Sequence, residues 1–108
     1  MANCCSTSFS IQSDNEITSE DAEALRKELE ETVCYDGEVY FERCDSNLIE
    51  GDCCTKWNVP TELLQPIAKK YAVNIRAIGR EDGVGFVQVV CINSTGELVQ
   101  DDEIGYRF

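Results

Sequence analysis

The chain contains no histidine. A Cys–His hydrolase is thereby excluded, because its nucleophile depends on an imidazole base. Lysine and arginine are scarce too. Nine of them face 21 Asp and Glu, for a net charge of −12 over 108 residues. The only adjacent basic pairs are Arg26–Lys27 and Lys69–Lys70. Without a basic stripe to neutralise phosphates, no direct nucleic-acid binding is expected. The same field repels anionic membrane surfaces and attracts cations and basic partners. No apolar run approaches the ~20 residues of a membrane span. The N-terminus lacks a basic n-region and an apolar h-region, and Ala2 excludes myristoylation. The expected location is cytoplasmic, with no membrane contact.

Other motifs are missing as well. Asp45-Ser46-Asn47 with Gly51 is too sparse for a calcium loop. Gly79 with Gly83-Val84-Gly85 lacks the spacing and the Lys-Ser/Thr end of a phosphate loop. No Cys-x2-Cys spacing occurs, although zinc ribbons use it. Cys4-Cys5 and Cys53-Cys54 could be imagined as a four-thiolate set. Strand neighbours point to opposite faces, however, so each pair offers one ligand unless it lies in a turn. All seven cysteines are expected to be reduced and mostly structural. Redox sensing or exposed thiol reactivity at Cys4, Cys5, Cys53 or Cys54 is the alternative. The surrounding carboxylates raise thiol pKa values and oppose a nucleophilic role. No catalytic residue, metal or cofactor is expected.

What is present reads as one domain over residues 1–108. At 43% hydrophobic, it can bury about two-thirds of its unfolded surface without staples. Residues 3–12 alternate, with Cys5, Thr7, Phe9 and Ile11 on a core face. Thr18-Ser19-Glu20-Asp21 has capping-box spacing and opens a helix over 19–33, with Ala22, Leu25, Leu29 and Val33 as its buried stripe. Asp36-Gly37 is a turn, and Glu38–Cys44 alternates again, with Val39 and Phe41 on one side. Residues 48–57 hold a short strand interrupted at Gly51. A second helix is expected over about 61–71, with Leu63, Ile67 and Tyr71 on one face and Leu64 and Ala68 beside them. It either starts near Glu62–Leu63 or is kinked at Pro66. Val73–Ile78 is a strand, and Asp82-Gly83 a hairpin turn. Val84–Asn93 is apolar on both faces and reads as a central strand covered on both sides over part of its length. Glu97–Gln100 is a last strand, and 101–108 an acidic, then aromatic tail. The tail either packs back through Tyr106 and Phe108 or offers a short peptide. This order predicts an α+β fold: an antiparallel sheet of four to five strands with two helices on one face, in a ferredoxin-like split βαβ arrangement. Phe9, Leu25, Leu29, Phe41, Leu64, Ile67, Ile75 and Phe86 are the expected core.

Two segments carry a resemblance. Met1-Ala2-Asn3-Cys4-Cys5-Ser6 is similar to the Met-x-Asn-Trp-Cys opening of the YubB ferredoxin-like family of plasmid- and phage-borne small proteins. Thr55-Lys56-Trp57-Asn58-Val59-Pro60, with the helix and Tyr71 beyond it, resembles that family's Thr-x-Trp-x-Pro-Pro segment. The hairpin ending in Gly85-Phe86 falls where the family places one. Cys4 stands where the family has Trp, and Val59 where it has the first Pro. The resemblance implies a ferredoxin-like sheet and a mobile-element origin, and implies no activity.

The expected function is a non-enzymatic acidic interaction module that binds a basic protein surface. A sharper version is an inhibitor mimicking nucleic acid, of the anti-restriction or anti-CRISPR kind, since twenty-one acids approach the roughly twenty phosphates on DNA of the domain's span. The competing reading is a small-ligand or metal-binding domain using the cysteines. A third reading of the acidity is solubility alone. Candidate partner-binding residues are Glu20, Glu23, Glu30 and Glu31 on the first helix, together with Trp57. The sole tryptophan either plugs the end of the core, the commoner role, or anchors a partner.

Overall fold

The computed structural model describes residues 4–81, 83 and 85–105, without the Cys4 side chain. Most of the family-like opening (Met1–Asn3), Asp82 in the expected hairpin turn, Val84, and the aromatic end of the tail with Tyr106 and Phe108 lie outside the described residues. The elements are β1 (Cys4–Gln12), α1 (Ser19–Thr32), β2 (Val39–Cys44), β3 (Leu48–Lys56), α2 (Thr61–Tyr71), β4 (Asn74–Glu81), β5 (Phe86–Ile92) and β6 (Leu98–Gly105). Every strand pairs antiparallel with its neighbours. They form one six-stranded sheet in the order β2-β3-β1-β4-β5-β6. The fold is α+β, as expected. The expected four to five strands become six, and the strand order is not that of a four-stranded ferredoxin-like sheet, because two further strands stand beyond β4.

Both helices feed one core. Ala22, Leu25 and Leu29 of α1 and Leu64, Ile67 and Ala68 of α2 join Phe9, Ile11, Ile49, Ile75, Val90 and Ile92 in one buried cluster. The helices therefore share one face of the sheet. Thr18 starts α1 as predicted: its Oγ1 accepts from the Asp21 backbone N–H at 3.0 Å, which satisfies one orphan donor of the first turn. On the expected face of α2, Ile67 is buried together with its neighbours Leu64 and Ala68, Tyr71 is half-buried, and Leu63 alone is exposed. Pro66 sits inside it on the solvent side, where the carbonyl it leaves unbonded can meet water. Ala72 ends the helix in the left-handed conformation, φ 52°.

Three strand readings are corrected. Gly51 does not interrupt its strand. β3 runs unbroken through it, and Gly51 faces Phe9 on one side and Phe41 on the other. An added Cβ there would stand 2.2 Å from the Tyr40 carbonyl oxygen and 2.9 Å from Phe9 Cζ, so the glycine permits a close approach rather than a break. Val87, Val89 and Cys91 lie on the helix-free face of β5 and are half-buried, shielded by neighbours such as Ile78 and Ile104 instead of a second layer. Finally, the expected tail is ordered sheet as far as Gly105. An edge strand needs only its ladder to β5, so Asp101, Asp102 and Glu103 can stay in water on both faces while their backbone is paired on one side.

Candidate functional site

The predicted acidic residues of α1 divide into two sets. The Arg26 guanidinium reaches Glu23 Oε1 at 3.0 Å and Glu30 Oε2 at 3.5 Å. Its hydrogen bond and charge hold the Glu23 carboxyl below the usual carboxylate range. Lys70 of α2 donates to Glu28 Oε1 at 2.7 Å, which ties the two helices together. Glu20 and Glu31 are exposed and have no ion pair among the described residues. The helix thus brings its carboxylates together but neutralises much of their charge internally.

Trp57 is 48% exposed, which removes the core-plug role. It follows β3 with φ +71°, and the Asn58 N–H donates across it to the Lys56 carbonyl at 2.8 Å. An i→i+2 hydrogen bond around a residue of positive φ is the rare, strained form of γ-turn. A buried polar network fixes the loop beneath. Thr55 Oγ1 donates to the Asn58 carbonyl at 2.7 Å and lies 3.0 Å from Thr7 Oγ1. The Val59 N–H donates to Gln88 Oε1 at 2.9 Å, and Gln88 Nε2 donates to Asp101 Oδ1 at 2.8 Å. Gln88 is not among the residues that sequence reasoning singles out. The available signal is a glutamine at a core-facing position between Phe86 and Val90, which must find partners when buried. Because the Trp57 backbone is strained, Trp57→Gly is expected to be more stable than Trp57→Ala by about 1–2 kcal/mol, the reverse of the usual order. Chemical unfolding followed by far-UV circular dichroism reads the difference, and equal stability would remove the strain argument.

The thiols depart from expectation. Cys54 is disulfide-bonded, so the cysteines are not all reduced. It lies opposite Ser6 of β1. Cys5, Cys34, Cys44, Cys53 and Cys91 are free, and Cys5 is buried as predicted. The Cys34 and Cys53 side chains share a hydrogen bond, which lowers the Cys34 pKa. That bond, burial, and the charges of Cys34, Asp36 and Asp52 raise Cys53 well above the ordinary thiol range. Cys53 is therefore a protonated thiol at neutral pH. It lines a wide-open hollow of about 760 Å³, with Arg26, Glu30, Asp36, Glu38 and Asp52 around it. Among the described residues, no group of three or more His, Cys, Asp or Glu is arranged to hold a metal ion.

The outer strand carries a run of charge with no ion-pair partner among the described residues. Glu97, Asp101, Asp102 and Glu103 occur in a stretch with no lysine or arginine, and among the described residues none forms an ion pair. All of β6 is exposed, including Val99 at 63% and Ile104 at 61%. The structure thus places a mixed acidic and apolar strip where the sequence suggested a tail. No family model matches the chain, and neither a curated protein nor a solved structure matches it.

Proposed function

We propose that this protein is a non-enzymatic interaction module that engages a basic protein surface. The observation that carries the reading is the outer strand: exposed carboxylates without a cation partner among the described residues, beside exposed apolar side chains. Such a strip gains Coulombic attraction to a basic partner without first breaking an internal ion pair. Glu20 and Glu31 on α1 extend the acidic surface, and Trp57 on its rigid turn supplies an amphipathic anchor of the kind found at interface hot spots. Against enzymatic use of the open hollow stands its chemistry. Its free thiol, Cys53, is protonated, and the chain has no imidazole to activate it. The order β2-β3-β1-β4 within the sheet supports reading a ferredoxin-like split βαβ core, to which β5 and β6 are added. The nucleic-acid-mimic version is weaker. Along the 44 Å long axis a duplex carries about 26 phosphates, against a net charge of −12.

Affinity capture from cells that encode the protein tests the proposal, using wild type beside Asp102→Lys/Glu103→Lys and Glu23→Lys/Glu30→Lys/Glu31→Lys. Captured partners should be lost at high salt, because screening shortens the reach of exposed charges. They should also be lost with the outer-strand double variant. Loss only with the helix variant would move the site to α1. Capture unchanged by both variants would mean that the acidity serves solubility.

A further inference from the structure

We infer that β6 is a strand-addition site, along which an extended segment bearing lysine or arginine pairs antiparallel as a seventh strand. The inference rests on the reading of the protein as an acidic interaction module and specifies how the partner is held.

The sheet has two edges, and they differ. At β2 the register shifts between Phe41 and Arg43, and an irregularity in the middle of a six-residue strand disrupts a ladder that a visitor would continue. At β6 the only irregularity faces Cys91 and Ile92 at the strand's start, and Gln100–Gly105 then keeps a regular register with β5. Along that stretch one row of backbone N–H and C=O groups has no strand partner among the described residues, which is the template that edge addition uses. Leu98, Val99 and Ile104 are exposed on the same strand. They provide apolar contacts at its two ends, with Asp101-Asp102-Glu103 between them.

Charge selects the occupant. A second copy is disfavoured: full-length antiparallel pairing of β6 with itself sets Asp101 against Asp102 on both sides of the dyad, and like charges directly opposite destabilise a strand pair. Lysine or arginine opposite Asp101, Asp102 and Glu103, with an apolar residue opposite Ile104, reverses each of these terms. The main-chain ladder supplies affinity, and the alternating side chains supply selectivity.

The probe is a synthetic peptide, acetyl-Val-Lys-Lys-Lys-Thr-Val-amide, titrated into the full chain by NMR. Two further peptides carry backbone N-methyl groups on alternate residues, one set on odd and the other on even positions. Only one row of a strand's N–H groups faces its neighbour. Strand addition therefore predicts that one methylated peptide binds at least about tenfold more weakly, the cost of lost hydrogen bonds, while the other binds like the parent. The outward amides of Gln100–Gly105 should gain hydrogen-exchange protection only with the competent peptides. If both methylated peptides bind like the parent, the contact is electrostatic alone, which overturns strand addition and leaves the interaction module standing. A parent peptide that fails to bind, while Asp102→Lys/Glu103→Lys still abolishes capture, has the same meaning. If neither the peptide nor the double variant has an effect, strand addition falls, and the module reading falls with it when the helix variant also leaves capture unchanged.

Discussion

Replacing Leu25 with alanine is expected to lower the free energy of unfolding by about 2–5 kcal/mol. Leu25 is 1% exposed and sits in the cluster that joins α1 to the sheet. Truncation removes its transfer free energy and leaves a cavity that a sheet and two helices can close only in part. Against a total stability of about 5–15 kcal/mol, that is a large share. At ~4–8 °C per kcal/mol for a domain near this size, Tm should fall by at least about 8 °C. Thermal melts and urea unfolding read both numbers. Lys27→Ala, on the exposed side of the same helix, is the control and should change stability by no more than about 0.5 kcal/mol. A Leu25→Ala loss as small as the control would mean that the α1 stripe does not carry the core.

Gly51→Ala is expected to cost about 1–3 kcal/mol or more, the range for overpacking a filled interior. A single methyl group is enough because of where it would stand. Phe9, Gly51 and Phe41 form one cross-strand row. The rings of Phe9 and Phe41 meet edge to face over the glycine, with centroids 6.0 Å apart. The new carbon would press on the Tyr40 carbonyl oxygen at 2.2 Å before it reached either ring. Since the closest obstacle is backbone, trimming the ring in Gly51→Ala/Phe9→Leu should not restore stability. β2 has to move away, so hydrogen exchange in Val39–Cys44 should accelerate before exchange in β4 and β5. Rescue by the Phe9 substitution would show instead that ring crowding sets the cost.

These two sites also mark how far the sequence can be read. The 3.6-residue spacing of Ala22, Leu25 and Leu29 behind the Thr18 cap marks out α1 nearly to the residue, because helix signals are local. Gly51 reads as a break, since a glycine that ends a strand and one that lets two aromatic rings close above it look alike in one dimension. The far half of β6 escapes for a related reason. Alternation reports burial on one face, and an edge strand exposed on both faces has none to report, so Asp101-Asp102-Glu103 reads as solvated tail. The commoner role of a lone tryptophan favours the core for Trp57, while its exposure and its positive φ are not encoded in any side-chain pattern. The Cys34–Cys53 contact depends on bringing distant segments together. The candidate acids Glu20, Glu23 and Glu31 do lie on an exposed face of α1; Arg26 meets Glu23 and Glu30 at the local i,i+3 and i,i+4 spacing of a helix, whereas Lys70 finds Glu28 only in three dimensions.

The central position of β1 has a consequence for how the chain reaches this structure. Ile11 pairs with Ile49 on one side and with Ile75 on the other, so the strand made before the other five acquires both neighbours only after β3 and β4 have been made. Until then its core face, with Phe9 and Ile11, has no sheet to join. Closing such long loops is entropically costly, and domains dominated by distant pairings fold in milliseconds to seconds rather than microseconds. By contrast, the β4–β5–β6 meander is built from contacts between successive strands and can assemble without waiting for β1. The expected kinetic order is therefore the C-terminal meander first and β1 last, inserted between β3 and β4 in the step that closes the core.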